Sequence, residues 1–388
     1  MPAPEKLEIR KMLVDVKNRI NRETGAVGKI YTEEISRANL STTALAIANT
    51  AKQANRGLDK VRRKNTPVLP SSMDFDIPSR YKKTTDGRRY LLADKVQHVG
   101  EDVEKRILVY STDKQLRLLF TSSHIMMDGT FASCPLHFDQ IYSIHCMKNN
   151  QSCLCVIALM CGRSSVIYKE LFSILIHHAH RLQMRFHPTT ITTDYELAMV
   201  KTIAEEFPNA RHIGCYFHFT NSIIKQIQCL NLTTVYRDDE HARSTTRQLM
   251  TLPFIPLDHT RYIFDKIADT APRVMKPLIS YFENYWIRKM RWSLWNVHGV
   301  EHRWNHRFNR LVAKFHPNVW HLFDCFRTEE VCVRQAMLKM TMGEKKQTKK
   351  KTADFQQRLD SLQSQFDDKM ITIDELFEGL ILLVATKN

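Results

Sequence analysis

Two aspartates in the sequence each follow a short β-prone segment. Asp128 comes directly after Ile125–Met127 and before Gly129, and Asp194 comes directly after Thr190–Thr193. Carboxylates that project from neighbouring strands of one sheet supply the hard oxygen ligands that Mg²⁺ and Mn²⁺ prefer. Two such ions can activate a water or hydroxyl and stabilise the leaving oxygen in phosphodiester chemistry. The sequence therefore predicts a divalent-metal site that includes Asp128 and Asp194.

A third acid is expected where Glu301 opens a basic and aromatic segment. On a helix, Glu301 shares one face with five apolar side chains. These are Trp304, Phe308, Leu311, Val312 and Phe315. Because that face must pack on the sheet, we expect Glu301 to point toward the two aspartates as the third metal ligand. Glu283 is the alternative third acid.

Cys215 and His218 have the spacing of half a zinc site. A structural Zn²⁺ needs four ligands and the sequence contains no CxxC pair, although Cys134 and His137 repeat the CxxH spacing. The alternative is a buried cysteine beside a hydrogen-bonded histidine. In either case we expect a structural role for the pair rather than a catalytic one.

The net charge of the chain favours a polyanionic partner. Its 388 residues include 57 Lys and Arg against 41 Asp and Glu, a formal charge of +16, and nucleic acid is the commonest polyanion. Between Trp286 and Phe308, cations that could neutralise phosphates alternate with aromatics that could stack on bases. The alternative is that the aromatics form a helix core and the cations are only its solvated surface. The predicted DNA-binding residues are Arg288, Lys289, Arg291, Arg303, Arg307, Arg310 and Lys314.

The order of elements predicts an α/β fold with a mixed sheet. Arg106–Tyr110 and Leu116–Phe120 are expected to be strands that lead into the Asp128 strand. Phe138–Ile144 and Cys153–Met160 then complete an antiparallel meander. Downstream, helices and strands alternate, which indicates parallel additions to the sheet. Three antiparallel strands followed by such additions are the order of an RNase H-like sheet.

Composition shifts along the chain predict its domain organisation. The predicted parts are a helical basic region over 1–66, a core over 67–340 with a helical insertion at about 217–295, a Lys-rich linker over 341–353, and C-terminal helices over 354–388.

Six stretches of the sequence, in order, resemble the transposase domain of Mutator-like elements (MULEs), a group within the DDE transposases. They are Asp128–Phe131, Gln140–Tyr142, Thr193–Ala198, Phe207–Ala210, Gly214–His218 and His316–Trp320. The resemblance implies an RNase H-like core and metal-dependent DNA strand cleavage and transfer. It also implies that Asp128, Asp194 and Glu301 are the catalytic ligands of two Mg²⁺ or Mn²⁺ ions. One departure concerns the third acid: its preceding asparagines are missing and an extra residue separates Glu301 from Trp304.

Two other functions stay open on the sequence alone. One is a domesticated transposase that binds DNA or chromatin without catalysis, since no Cys-rich finger precedes the core and the segment around Glu301 is altered. The other is an RNase H-type nuclease with a different role. The N-terminus lacks the apolar core of a signal peptide, and no apolar run approaches the roughly 20 residues that span a bilayer. We therefore expect a nuclear protein with reduced cysteines and no membrane attachment, and the sequence leaves homo-oligomerisation open.

Overall fold

A computed structural model provides the structure of the protein. The residues that it describes are 3–22, 25–99, 102–131, 133–148, 151–299, 317–344 and 350–385.

The fold is built on a seven-stranded mixed sheet. Its strands are β1 (Leu91–Val99), β2 (Asp102–Tyr110), β3 (His124–Thr130), β4 (Gln140–Lys148), β5 (Gln151–Met160), β6 (Thr190–Thr193) and β7 (Arg211–Gly214). They lie in the order β1-β2-β5-β4-β3-β6-β7. Strands β1 to β5 pair antiparallel, whereas β6 and β7 run parallel to β3. The predicted order of three antiparallel strands followed by parallel additions is confirmed, and it is consistent with an RNase H-like core.

Helices precede, cover and follow this sheet. In chain order they are α1 (Pro4–Arg22), α2 (Val27–Arg37), α3 (Thr42–Ile47), α4 (Ala51–Asn65), α5 (Asp113–Phe120), α6 (Ser165–Arg181), α7 (Leu197–Glu206), α8 (Tyr216–Cys229), α9 (Thr233–Asp238), α10 (Glu240–Thr251), α11 (Thr260–Thr270), α12 (Lys276–Phe282), α13 (Trp292–Trp295), α14 (Val319–Thr341), α15 (Lys350–Asp367) and α16 (Ile373–Ala385). A π-helical segment, Glu283–Lys289, continues α12.

One face of the sheet packs against α5, α6 and α7. Ile125 and Met127 of β3 lie in this apolar layer with Ile144 of β4 and Leu171 of α6. Because side chains alternate between the two faces of a strand, Asp128 projects to the opposite face. That face is covered in part by α14, whose Trp320 stacks on Tyr81 with ring centroids 5.2 Å apart.

The segment Leu116–Phe120 is a helix, so its assignment as a strand was wrong. Thr112 and Gln115 form a capping box at the start of α5, each side chain bonding the other residue's backbone amide. Such a box satisfies amide groups that the first helical turn leaves without partners. The buried leucines of α5 then share one helical face, which a short apolar run cannot distinguish from a strand.

Helices α8 to α13 occupy the stretch for which the sequence predicts a helical insertion. They pack around an apolar core that includes Phe219, Phe264 and Trp286. The C-terminal helices α15 and α16 contribute to the same core through Leu359 and Leu380. The insertion and the C-terminal helices therefore share one apolar interior.

Helices α1, α2 and α4 form a separate apolar cluster. Val16 of α1, Ile30 of α2 and Leu58 of α4 are buried against one another. An ion pair between Arg19 and Glu34, at 2.7 Å, joins α1 to α2.

All nine cysteines are free thiols, and six of them are buried, where a thiol packs as a small apolar residue. Within the described ranges, no helix is both long enough and apolar enough to cross a membrane.

Candidate active site

The two aspartates lie on neighbouring parallel strands. Met126 of β3 is in register with Thr192 of β6, so Asp128 and Asp194 follow at equivalent positions two residues later. Asp128 itself lies inside β3, where it is opposite Ser143 of β4, rather than after the end of the strand as the sequence indicated. The parallel pairing nevertheless brings both carboxylates to one edge of the sheet.

Helix α8 brings a histidine to the same edge. Cys215 precedes its first residue, and the backbone amide of Cys215 donates to the carbonyl of Thr193 at 2.7 Å. This bond fixes the start of α8 beside the end of β6. His218, in the first turn of α8, has its Nε2 3.6 Å from Oδ1 of Asp128.

The Asp128 carboxyl group is unevenly exposed. Its side chain is 40% exposed, yet Oδ1 is buried and has no hydrogen-bond partner among the described residues. Burial raises the pKa of Asp128 to about 6, with a further increase from Asp194, and the opposing effects of His218 and the Gly129 amide are smaller. An acid that is hard to ionise beside a second acid is the electrostatic arrangement that a divalent cation would stabilise.

The environment of His218 favours its protonated form. Burial lowers its pKa, but Cys215, Asp128 and Asp194 outweigh this effect and raise the pKa to about 9. Nδ1 of the ring is buried without a hydrogen-bond partner among the described residues. The spacing in the sequence pairs His218 with Cys215, whereas its proximity to Asp128 arises only in the fold.

A further acid, Glu196, lies beside Asp194 and was not singled out from the sequence. Its backbone amide donates to Oδ1 of Asp194 at 3.2 Å, and the hydroxyl of Tyr168 donates to its Oε2 at 3.0 Å. Burial raises the pKa of Glu196, and the charge of Asp194 adds to the increase. The Asp-x-Glu spacing of Asp194 and Glu196 is the feature of the sequence that could have identified this acid. Tyr168 also accepts a 3.0 Å bond from Gln140, which ties this acid to β4.

An exposed aromatic–cation pair borders the acids. The guanidinium of Arg163 lies 4.5 Å from the ring centroid of Phe131, which directly follows β3 and is 40% exposed. The charge of Arg163 also reaches Glu196, whose pKa it lowers against the larger effect of burial. The guanidinium and the ring therefore form a positively charged, flat surface next to the carboxylates.

A comparison with protein families identifies the segment that carries these groups. Residues 124–222 match the model of the MULE transposase domain. The chain contains a MULE transposase domain. The matched segment begins at β3 and ends inside α8, so it includes Asp128, Asp194, Glu196, Cys215 and His218. No curated protein matches the chain.

Two of the predicted DNA-binding residues, Arg288 and Lys289, contact other side chains of the protein. Arg288 donates to Glu283 at 2.8 Å, and the ammonium of Lys289 lies 5.8 Å from the ring centroid of Tyr285. Arg291 lies near His212, whose pKa falls to about 4 mainly through burial and further through this charge.

Two tryptophans of this stretch, Trp286 and Trp295, do not offer stacking surfaces. Trp286 and Trp295 are 1% and 0% exposed, and Trp295 donates its indole N–H to the carbonyl of Trp286 at 3.0 Å. For these two residues the base-stacking interpretation was wrong, because both rings fill the core of the insertion. Both residues fit the alternative interpretation, in which the aromatics form a helix core and the cations lie on its surface.

Glu283, the alternative third acid, pairs with arginines rather than with the aspartates. Arg288 and Arg261 lie 2.8 Å and 3.6 Å from its Oε1. The bond from Arg288, which outweighs burial, lowers the pKa of Glu283. Several other predicted site residues lie outside the described residues. They are Glu301, Arg303, Arg307, Arg310 and Lys314.

The described part of the chain has no group of three or more His, Cys, Asp and Glu side chains placed to hold a metal ion. This applies to the edge of the sheet that carries Asp128 and Asp194, called here the aspartate edge, and to the surroundings of Cys215 and His218. At the aspartate edge, the third position that the sequence assigns to Glu301 falls outside the described ranges.

Proposed function

We propose that the chain is a MULE-type DDE transposase, or a protein descended from one, that binds DNA and cleaves and transfers its strands with divalent metal ions. The observation that carries this proposal is the register of β3 and β6, which sets Asp128 and Asp194 side by side within a MULE transposase domain. DNA as the substrate implies a nuclear location for the protein.

The chemistry of the aspartate edge fits divalent cations. Asp128 offers a buried oxygen without a hydrogen-bond partner among the described residues, and Asp194 is its neighbour in register. These two carboxylates, with Glu301 as the proposed third, would hold Mg²⁺ or Mn²⁺. Bound there, the ions would supply Lewis-acid stabilisation of charge on the attacking and leaving oxygens. The protein's own part is to fix the carboxylates and orient the scissile phosphate.

A DNA-binding protein without catalysis is the second candidate. It is favoured by the position of His218, whose Nε2 lies 3.6 Å from the buried oxygen of Asp128. A protonated imidazole at that position supplies the positive charge beside the Asp128 carboxylate that a metal ion would otherwise supply. In this case the aspartate edge would be an inherited structure stabilised by His218.

Cleavage of plasmid and oligonucleotide DNA in the presence of Mg²⁺ or Mn²⁺ separates the two candidates. We expect nicking by the wild-type protein, and we expect Asp128→Asn and Asp194→Asn each to abolish it while leaving DNA binding intact. Each substitution removes a metal ligand but keeps the size of the side chain. The loss should reach several orders of magnitude, as expected when charge stabilisation in a transition state disappears.

Asp139→Asn is the matched control, because Asp139 is an exposed aspartate that immediately precedes β4. It should cleave at the wild-type rate. Wild-type protein that binds DNA but never nicks it would support the non-catalytic candidate. Cleavage that survives Asp128→Asn would contradict the assignment of that residue. A preference for RNA–DNA hybrids would favour an RNase H-type nuclease.

A further inference from the structure

Helix α4 carries a stripe of cations on its exposed side. At about 100° per residue, its five exposed cations fall within an arc of about 120°, opposite the buried Ala54 and Leu58. They are Lys52, Arg56, Lys60, Arg63 and Lys64. Basic residues in the last turn are common, because they complement the negative end of the helix dipole. Lys52, Arg56 and Lys60 lie before that turn and need another explanation.

Within the described part of the chain, none of these five side chains forms an ion pair or hydrogen bond with the protein. The nearby Arg62 behaves differently, since it points to the other side of the helix and donates to the carbonyl of Gly25 at 2.9 Å. Five like charges on one face repel one another without stabilising the bundle. A polyanion outside the bundle would supply the missing counter-charge.

A glycine at the border of the same face, about 20° beyond Lys64 around the helix, supports this interpretation. Gly57 is exposed, and a Cβ atom built on it would meet no atom within 4 Å. Packing therefore does not require glycine at this position, and glycine weakens a helix relative to alanine. The absence of a side chain does, however, allow another molecule to approach the helix backbone closely.

The dimensions of α4 suit duplex DNA. Its 15 residues extend about 22 Å. The major groove of B-form DNA, roughly 12 Å wide, admits an α-helix and exposes phosphates along both edges. A-form RNA has a deep and narrow major groove that excludes a helix, so its phosphates would meet fewer of these cations.

We propose that the exposed face of α4 is a binding site for duplex DNA, with Lys52, Arg56, Lys60 and Arg63 on phosphates and Gly57 at the closest approach. This site is distinct from the aspartate edge, and it rests on the DNA binding of the proposed function, for which it names a surface. It gives the protein a means of holding duplex DNA through its N-terminal helices.

The test compares two charge-matched variants of the full chain. The first replaces Lys52, Arg56, Lys60 and Arg63 with glutamine. The second replaces four exposed cations of α1, in the same helical bundle, with glutamine. These are Lys6, Arg10, Lys11 and Lys17. Binding to a duplex oligonucleotide is measured by fluorescence anisotropy over a series of KCl concentrations, with EDTA present so that strand cleavage plays no part.

We expect the α4 variant to bind at least tenfold more weakly at moderate salt. Its slope of log K against log salt should be smaller in magnitude by up to about 3.6, because each of the four phosphate contacts contributes about 0.9. The α1 variant should keep a slope near that of the wild type. Equal losses in both variants would show that net charge alone matters, and an unchanged α4 variant would also overturn the proposal. Because no metal is present, neither result depends on catalysis.

Two further measurements sharpen the assignment. Gly57→Leu should weaken duplex binding while preserving the helix, and Gly57→Ala should have a smaller effect, because bulk at this position would hold the DNA away. Duplex RNA should bind more weakly than duplex DNA and respond less to the α4 variant. If duplex RNA binds equally well and is equally sensitive, the α4 face is not a site for the DNA major groove.

Discussion

Asp128 is held in a position that opposes its own ionisation. Its pKa rises from 3.8 to about 6, chiefly through burial and then through Asp194. The folded state therefore binds more protons than the unfolded chain between about pH 4 and pH 6. Stability must fall as pH rises through this window, and the cost is fully present above it. His218 reduces this cost without removing it.

Asp128→Asn is accordingly expected to stabilise the protein at pH 7 to 8. The gain should be about 1 kcal/mol once solvent screening of this side chain is allowed for, and it should vanish near pH 4. Urea unfolding of the wild type and the variant across this pH range measures it. A variant that is less stable than the wild type at pH 7 would show that the attraction between Asp128 and His218 exceeds the cost of burial.

Cys215 and His218 are expected to act without zinc. No third metal-binding side chain joins them in the described part of the chain, and His218 faces Asp128 instead. Purified protein should contain less than one equivalent of zinc, and Cys215→Ser should not change the zinc content. Elemental analysis of both proteins decides this. One equivalent of zinc that disappears in Cys215→Ser would establish a metal site with ligands from outside the described ranges.

At the scale of elements, the end of β7 and the start of α8 depend on one close approach. A Cβ atom on Gly214 would lie 2.1 Å from Cε1 of Tyr195, so the ring passes directly over this residue. The Tyr195 ring in turn packs edge-on against Trp286, with centroids 4.8 Å apart. Any side chain at Gly214 must therefore displace the Tyr195 ring, which belongs to the residue after Asp194, or push β7 away from that ring.

Gly214→Ala should destabilise the protein by roughly 1–3 kcal/mol through overpacking. Gly57→Ala provides the opposite case, because its Cβ would meet open space on a helix and should stabilise by about 0.5–1 kcal/mol. Thermal unfolding of the two variants measures both signs. If Gly214→Ala changed stability as little as Gly57→Ala, the Tyr195 ring could move aside without cost. Tyr195 would then not hold the preceding residue, Asp194, in place.

The sequence predicted most strands of the sheet, but the assignment of one neighbouring segment as a strand was wrong. Alternating and continuous apolar runs identified β2 to β7 but not β1, because burial on each face imposes those patterns. Leu116–Phe120 failed because its length and composition suit either a strand or a helix. The Thr112–Gln115 capping box, which decides in favour of the helix, was present in the sequence but was not weighed.

The aspartates could be predicted while their neighbours could not. Asp128 and Asp194 follow strand patterns that can be recognised locally. The contact between His218 and Asp128 joins residues 90 positions apart through the packing of α8 on the sheet, so no local pattern encodes it. The burial of Trp286 depends likewise on the insertion closing around it, which spacing along one helix does not reveal.

At the scale of the whole molecule, the C-terminal helices complete the core of the insertion. Leu376 and Leu380 of α16 are fully buried among residues of α8 to α13, and Phe355 of α15 packs against Phe254 with ring centroids 6.2 Å apart. This core also holds α8, whose first turn carries His218. The C-terminal helices should therefore support the aspartate edge from a distance.

A pair of leucines on one helix tests this connection. Leu380→Ala should cost about 2–5 kcal/mol, because it removes a fully buried side chain and leaves a cavity. Leu382→Ala, at a site that is 71% exposed on the same helix, should change stability by no more than about 0.5 kcal/mol. Denaturant unfolding followed by tryptophan fluorescence reports directly on this core, which contains Trp286 and Trp295. If Leu380→Ala produced an earlier unfolding phase in circular dichroism while the tryptophan transition stayed unchanged, α15 and α16 would unfold independently and could not support α8. A shift of the whole transition would instead show that the C-terminal helices and the insertion unfold together.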